Sequence, residues 1–201
     1  MTVCKAAVFD LGGVLIRWDP RLLYRKLLPT EEAVERFLSS VCTLEWNARQ
    51  DAGRPIDEGI AELVTRFPDQ ADLIEAWRER FDEMVLPMED TIDLLRELHE
   101  RGVPLYALSN WGAETFEATR NRFPFYEWFR GMVVSGRVGL MKPDPRVFHL
   151  LLQEYELNPA EVVFVDDHLP NVDAARRLGL HAILFQSAAE LRGQLVSLGL
   201  L

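Results

Sequence analysis

Cysteine is scarce: only Cys4 and Cys42 occur among the 201 residues. Two cysteines without CxxC spacing make no disulfide framework and no redox motif, so both read as buried, reduced thiols. Long hydrophobic runs are missing too. No apolar stretch approaches the roughly 20 residues of a membrane span, and the start Met1-Thr2-Val3-Cys4-Lys5 has no signal-peptide layout. No membrane partner and a cytoplasmic location are therefore expected. Positive charge is in deficit, with 22 Lys and Arg against 32 Asp and Glu and a net charge of -10. That balance argues against nucleic acid as the main partner, and an anionic substrate would need a local cation. Internal repeats and low-complexity segments are absent. Nothing in the pattern specifies an oligomeric state.

What is present is a well-stocked core: 48% of the residues are hydrophobic, ample for one large domain or a domain carrying an insertion. Apolar runs suited to buried strands fall at Ala6 to Phe9, Val103 to Leu108, Met132 to Val134, Val162 to Val165 and Ala182 to Phe185. Helical patterns separate the later runs. Ile92, Leu95 and Leu98 share a helix face that ends at Gly102, and Val172, Ala175 and Leu178 share one that ends at Gly179. Asp144-Pro145 supplies an N-cap and first-turn proline for a helix carrying Val147, Leu151 and Tyr155. The alternation predicts an α/β fold with a parallel sheet.

Between the first two strands lie about 70 residues with helical period only, far more than a normal crossover. Val34, Phe37, Leu38 and Val41 mark one helix face, Ile60, Leu63, Val64 and Phe67 a second, and Leu73, Trp77 and Phe81 a third. These faces can pack as a small bundle. The expected division is a discontinuous core, 1–16 and 87–201, interrupted by a helical module, 17–86.

Polar residues with chemistry cluster at the ends of the expected strands. Asp10 closes Ala6-Ala7-Val8-Phe9 and precedes Leu11-Gly12-Gly13, a carboxylate on a glycine turn at the edge where open α/β sheets bind ligands. Alone, it would read as a turn aspartate. Ser109-Asn110 ends another strand with a hydroxyl and amides suited to phosphate oxygens. Lys142 stands between Met141 and Pro143-Asp144-Pro145, where two prolines could aim a single cation. Asp166-Asp167 ends Val162-Val163-Phe164-Val165, with Asn171 beyond; carboxylates this close need a counter-ion, and Mg²⁺ takes oxygen ligands. Asp167 could alternatively serve as a helix N-cap.

In this order FDLGGVL, LSN, MKPDP and VFVDD resemble the four motifs of the haloacid dehalogenase-like hydrolase superfamily. The wording VGLMKPDPRVF and EVVFVDDHLPNVDAARRLG looks most like the subgroup with the phosphatase domain of soluble epoxide hydrolase and bacterial sugar-1-phosphate phosphatases. The resemblance covers nearly the whole chain. It implies a Rossmann-like core under a helical cap and an Mg²⁺-dependent phosphomonoesterase for a small phosphorylated metabolite. Asp10 would be the nucleophile forming an aspartyl-phosphate, Ser109 and Asn110 would bind the phosphoryl group, and Lys142 would neutralise it. Asp10, the Gly12 carbonyl and Asp167 would hold Mg²⁺, with Asp166 assisting. These parts suit phosphoryl transfer, which needs an in-line nucleophile and charge stabilisation on the equatorial oxygens.

Gly12 departs from the family pattern. Typical phosphatases of the superfamily carry a second aspartate there, which protonates the leaving group and then activates water. Without it the chain is expected to be a slow phosphatase, one specialised for good leaving groups, or one recruiting another acid. His168 is the obvious substitute, although a polar first-turn histidine is the simpler reading. His99 suits a helix C-terminus, and His149 and His181 show no ligand spacing.

Two rivals remain open at this point. A 2-haloacid dehalogenase would use Asp10 on carbon without metal, but that subgroup typically carries Ser-Ser-Asn in place of the aspartate pair and an aromatic residue near Gly12. A non-catalytic phospholigand-binding protein would gain nothing from keeping Asp10, Lys142 and Asp167 together. Substrate choice is expected to lie in the cap, where Trp46, Arg49, Gln50, Asp51 and Arg54 surround a glycine turn and Trp18 and Trp111 could form walls. Trp46 and Arg49 are the leading substrate contacts on this reading.

Overall fold

β1 (Ala6–Phe9) is buried at every residue and pairs in parallel on both sides, with β4 (Leu105–Ser109) and β6 (Val162–Asp166), which makes it the centre of the sheet. β5 (Gly131–Val134) extends the sheet beyond β4 and β7 (His181–Leu184) extends it beyond β6, both parallel. The spatial order is therefore β5-β4-β1-β6-β7. The computed structural model describes residues 4–201; Met1, Thr2 and Val3, with which the expected core segment begins, lie outside the described residues.

Alternate residues of these strands feed two separate cores. Ala7, Phe9, Leu105, Ala107, Val163 and Val165 face one side, while Ala6, Val8, Tyr106, Leu108, Val162 and Phe164 face the other. Both faces are apolar because helices cover both, as parallel sheets require. α9 (Pro145–Glu154) and α10 (Leu169–Arg177) serve the second face, where Phe148 meets Phe164 edge-on at 5.3 Å between centroids. α6 (Glu89–Glu100) and α11 (Ala188–Ser197) serve the first. The expected caps form: Asp144 accepts the Arg146 N–H at 2.9 Å, and Gly102 and Gly179 take positive φ just past their helices. α7 (Ala113–Thr119) and the single turn α8 (Ser135–Val138) complete the core side.

The insertion is entered and left through a two-stranded antiparallel ribbon, β2 (Ile16–Trp18) with β3 (Val85–Pro87). Between them run α1 (Arg21–Leu27), α2 (Glu31–Ser40), α3 (Leu44–Asp51), α4 (Ile56–Arg66) and α5 (Ala71–Glu79). The three expected helix faces correspond to α2, α4 and α5. α1, α3 and the ribbon carry no distinct periodic signal in the sequence, being short and, in α3, largely polar. Trp77 and Tyr24 are fully buried, and Trp46 packs edge-on against Trp77 at 5.3 Å between centroids. No helix among the described residues is long and apolar enough to cross a membrane.

Candidate active site

The motif residues converge at the carboxyl ends of β1, β4 and β6, where the strands stop and the main chain turns outward. Lys142 lies at the centre, with a fully buried side chain. Its Nζ is 2.8 Å from Asp10 Oδ2 and 2.7 Å from Asp166 Oδ2. The Phe164 ring lies 5.5 Å from the ammonium. A buried ammonium is tolerable only with such partners.

Asp10 is fixed at both oxygens, since the Leu11 N–H donates to Oδ1 at 2.7 Å while Lys142 holds Oδ2. Asp166 is more thoroughly engaged. Its Oδ1 accepts from the His168 N–H at 2.8 Å and Asn171 Nδ2 at 3.0 Å, and its Oδ2 accepts from Asn171 at 3.1 Å as well as from Lys142. Asn171, noted in the sequence only as a neighbour of the acidic pair, thus locks the carboxylate that steers the lysine.

Asn110 does the same for the lysine main chain. Its Nδ2 donates to the Lys142 carbonyl at 2.9 Å and its Oδ1 accepts the Lys142 N–H at 2.8 Å. The sequence points to Asn110 as a phosphoryl contact; in the structure its side-chain amide is occupied in aligning Lys142. Ser109 differs. Its hydroxyl is buried and has no partner among the described residues, a donor left over for an oxyanion.

Asp10, Asp166 and Asp167 can each offer an oxygen such that all three lie within 4.8 Å of one another. Three carboxylates against one ammonium leave two negative charges uncompensated when all are ionised. The strain shows in their acidities: burial foremost, and then Asp166 and Asp167, push Asp10 up to about 7 against the pull of Lys142. Burial and Asp166 likewise raise Asp167. A hard divalent cation matches both the oxygen donors and the missing charge. Gly13 shapes the cradle, because at φ 71° a Cβ there would lie 2.0 Å from Asp167 Oδ2. The residues present therefore fit Mg²⁺.

Beside this group, between cap and core, lies a cavity of about 110 Å³ that is partly open to solvent. Trp18, Phe81 and Trp111 form aromatic walls, and Asn47, Asp51, Asn110 and Thr115 supply polar groups, with Gly12 also contributing. Trp46 and Arg49 do not line it. Trp46 is 2% exposed, donates its indole N–H to the Gly59 carbonyl at 3.1 Å and belongs to the cap interior. Arg49 is exposed and paired with Glu62 at 3.1 Å. Both corrections follow from α3 being a helix. Asn47 and Asp51, four residues apart, share the face turned to the cavity, whereas Trp46 and Gln50 share the face buried in the cap. His168 is exposed and does not line the cavity.

The family model of the haloacid dehalogenase-like hydrolases matches residues 4–179. The chain belongs to this family. Among the curated relatives, the sesquiterpene phosphatase astK of Aspergillus oryzae is 30% identical over 181 residues, spanning 89% of this chain and 88% of that protein. The D-ribitol-5-phosphate phosphatase of Bacteroides thetaiotaomicron is 22% identical over 203 residues, 95% and 96% of the two chains. Among solved structures, the Bacteroides thetaiotaomicron family enzyme bt-2542 in complex with magnesium and inorganic phosphate superposes with a TM-score of 0.72 at 22% identity, covering 94% of this chain and 98% of that one. The protein is a hydrolase of the haloacid dehalogenase-like family, and these two curated relatives, matched over most of its length, are phosphatases.

Proposed function

We propose that the protein hydrolyses a small phosphomonoester through an aspartyl-phosphate on Asp10, with Mg²⁺ held by Asp10, Asp167 and the Gly12 carbonyl. The observation that carries this reading is the Asp10–Lys142–Asp166 arrangement, 2.8 and 2.7 Å, beside the unpartnered Ser109 hydroxyl. Lys142 and Ser109 bind the phosphoryl oxygens and offset the repulsion between a phosphate dianion and the carboxylates. Asp10 Oδ2 attacks phosphorus while Oδ1 stays fixed by the Leu11 amide. Bound Mg²⁺ supplies charge neutralisation between nucleophile and phosphate. Asp166 and Asn171 hold the lysine in register.

The leaving group occupies the cavity under the cap, against Trp18, Phe81 and Trp111. Three aromatic walls favour an alcohol with an apolar face, and the names of the two relatives bracket the choice between a terpenoid and a polyol. The aspartate pair, both within the acidic cluster whose oxygens suit a divalent cation, weighs against the dehalogenase reading. The test is phosphate release from a panel of alkyl and sugar phosphates with and without Mg²⁺, beside Asp10→Asn. Release that requires Mg²⁺ and disappears in Asp10→Asn is the expected result. Metal-independent halide release, or Asp10→Asn activity within tenfold of wild type, would overturn it.

A further inference from the structure

Gly12 and Asp51 line the same cavity, one from the nucleophile turn and the other from the last residue of α3. At Gly12 the space is open: a Cβ built there meets nothing within 4 Å. We propose that Asp51, reaching in from the cap, is the proton donor and acceptor for the reaction, taking the part that the absent carboxyl at Gly12 cannot play. The assignment rests on the phosphatase reading above.

Three observations carry it. Asp51 is held firmly at the junction of cap and core. Its carbonyl accepts the Ser135 hydroxyl at 2.6 Å, Ser135 in turn accepts the Trp111 N–H at 2.9 Å, and Asn47 Nδ2 donates to Asp51 Oδ2 at 3.1 Å. Trp111 directly follows the Ser109-Asn110 segment, so the Asp51 main chain is anchored beside the end of β4. Asp51 is also the one carboxyl among the residues lining this cavity, which Gly12 and Asn110 join to the Asp10–Lys142 group.

The third point is its acidity, which agrees with the other two. Burial pushes Asp51 up to about 6, against a smaller opposing pull from the Gly112 N–H. Charged groups on the elements packed around α3 are committed elsewhere: Glu62 of α4 to Arg49 and Arg54, Glu114 of α7 to the Ile56 N–H, and Arg137 of α8 to Glu117. A carboxyl titrating near the working pH can both give and take a proton.

In the first step Asp10 forms its bond to phosphorus, the ester P–O bond breaks, and the Asp51 proton passes to the leaving oxygen, releasing the alcohol and leaving Asp51 ionised. In the second, Asp51 takes a proton from water, the resulting hydroxide attacks phosphorus, and the bond to Asp10 breaks. Inorganic phosphate departs, and both aspartates return to their starting states.

The experiment compares an alkyl phosphate with 4-nitrophenyl phosphate, using kcat/KM because it reports the step in which the alcohol leaves. Asp51→Asn should lower kcat/KM for the alkyl ester by about 10²-fold, the ordinary worth of a general acid, and for the aryl ester by less than about threefold, since its phenolate leaves without help. Adding Gly12→Asp to Asp51→Asn should recover at least about tenfold on the alkyl ester. In Gly12→Asp alone, whatever the change in overall rate, the alkyl-to-aryl ratio of kcat/KM should stay within about threefold of wild type, because an acid is already in place; this keeps the assignment testable even if Asp51→Asn fails to fold. Equal losses on both esters, no loss on either, or a large alkyl-selective gain from Gly12→Asp alone would overturn it. Asp10→Asn separates the two readings: phosphate release surviving that change would overturn the phosphatase reading and this one together. Release that dies with Asp10 but shows no leaving-group dependence on residue 51 would overturn only this one.

Discussion

Asn110 grips the main chain of Lys142 from both sides, donating to its carbonyl and accepting from its N–H, 32 residues along the chain. The pair joins the end of β4 to the loop that carries the site's buried cation. Asn110→Ala should therefore impair the reaction without removing any group that touches phosphate. We expect kcat to fall about 10- to 100-fold, as misplacement of a charge-stabilising group costs on this scale, with thermal stability lowered by about 1 to 3 kcal/mol for the orphaned main-chain groups. Steady-state kinetics and urea unfolding check both; unchanged kcat would remove Asn110 from the positioning role.

Gly13 and Asp167 are in contact so close that no side chain fits between them. Gly13→Ala would force the Asp167 carboxylate aside and strain a main chain at φ 71°. The Mg²⁺ concentration for half-maximal activity should rise at least about tenfold, the usual scale for a disturbed ligand. Titration of activity with Mg²⁺ checks it, and an unaltered midpoint would show that Asp167 is not a ligand.

Asp51 should also mark the stability profile. Its folded-state acidity lies at about 6, above the ordinary 3.8, so the folded chain binds the proton more tightly than the unfolded one. Stability attributable to this group is intact below pH 3.8 and is lost as pH rises towards 6, at most about 3 kcal/mol in all. Asp51→Asn does not titrate. It should therefore gain stability relative to wild type between pH 4 and pH 7.5, as read by urea unfolding at both ends; a constant difference would mean that Asp51 is ionised in the fold throughout.

Trp18 and Arg49 should separate in their effect on selectivity. Trp18 lines the cavity, whereas Arg49 lies outside it in an exposed pair with Glu62. Trp18→Ala should shift the ranking of apolar against polyol phosphates by about tenfold, since an aromatic wall discriminates by roughly 1–3 kcal/mol. Arg49→Ala should leave the ranking within about twofold, in keeping with the small worth of exposed ion pairs. A substrate panel run on both variants decides it.

The strands were legible because a parallel sheet buries both faces, and Ala6-Ala7-Val8-Phe9 or Val162-Val163-Phe164-Val165 cannot belong elsewhere. Asp10, Ser109 and the aspartate pair were legible because each stands at a strand end, and Lys142 because Pro143 and Pro145 follow it. What failed was local. In sequence the segment around Trp46 reads as residues gathered about a glycine turn, which points to its aromatic and basic members, Trp46 and Arg49. Once Thr43 caps a helix over Leu44–Asp51, with its hydroxyl accepting the Trp46 N–H at 3.1 Å, the angular positions are set and Asn47 and Asp51 turn inward together. The double hydrogen bond from Asn110 to Lys142 depends on chain segments 32 residues apart and has no local signature.

The ribbon of β2 and β3 does more than close the insertion. The Gly13 N–H donates to the Ile16 carbonyl at 2.9 Å, the Leu15 and Ile16 N–H groups donate to Leu11, and the Met88 N–H donates to Leu15. The nucleophile turn and the base of the cap are thus a single hydrogen-bonded unit. The cap is thus tethered to the turn after Asp10 by main-chain hydrogen bonds rather than by a loose linker, and any displacement of the cap against the core would strain the chain within four residues of Gly12.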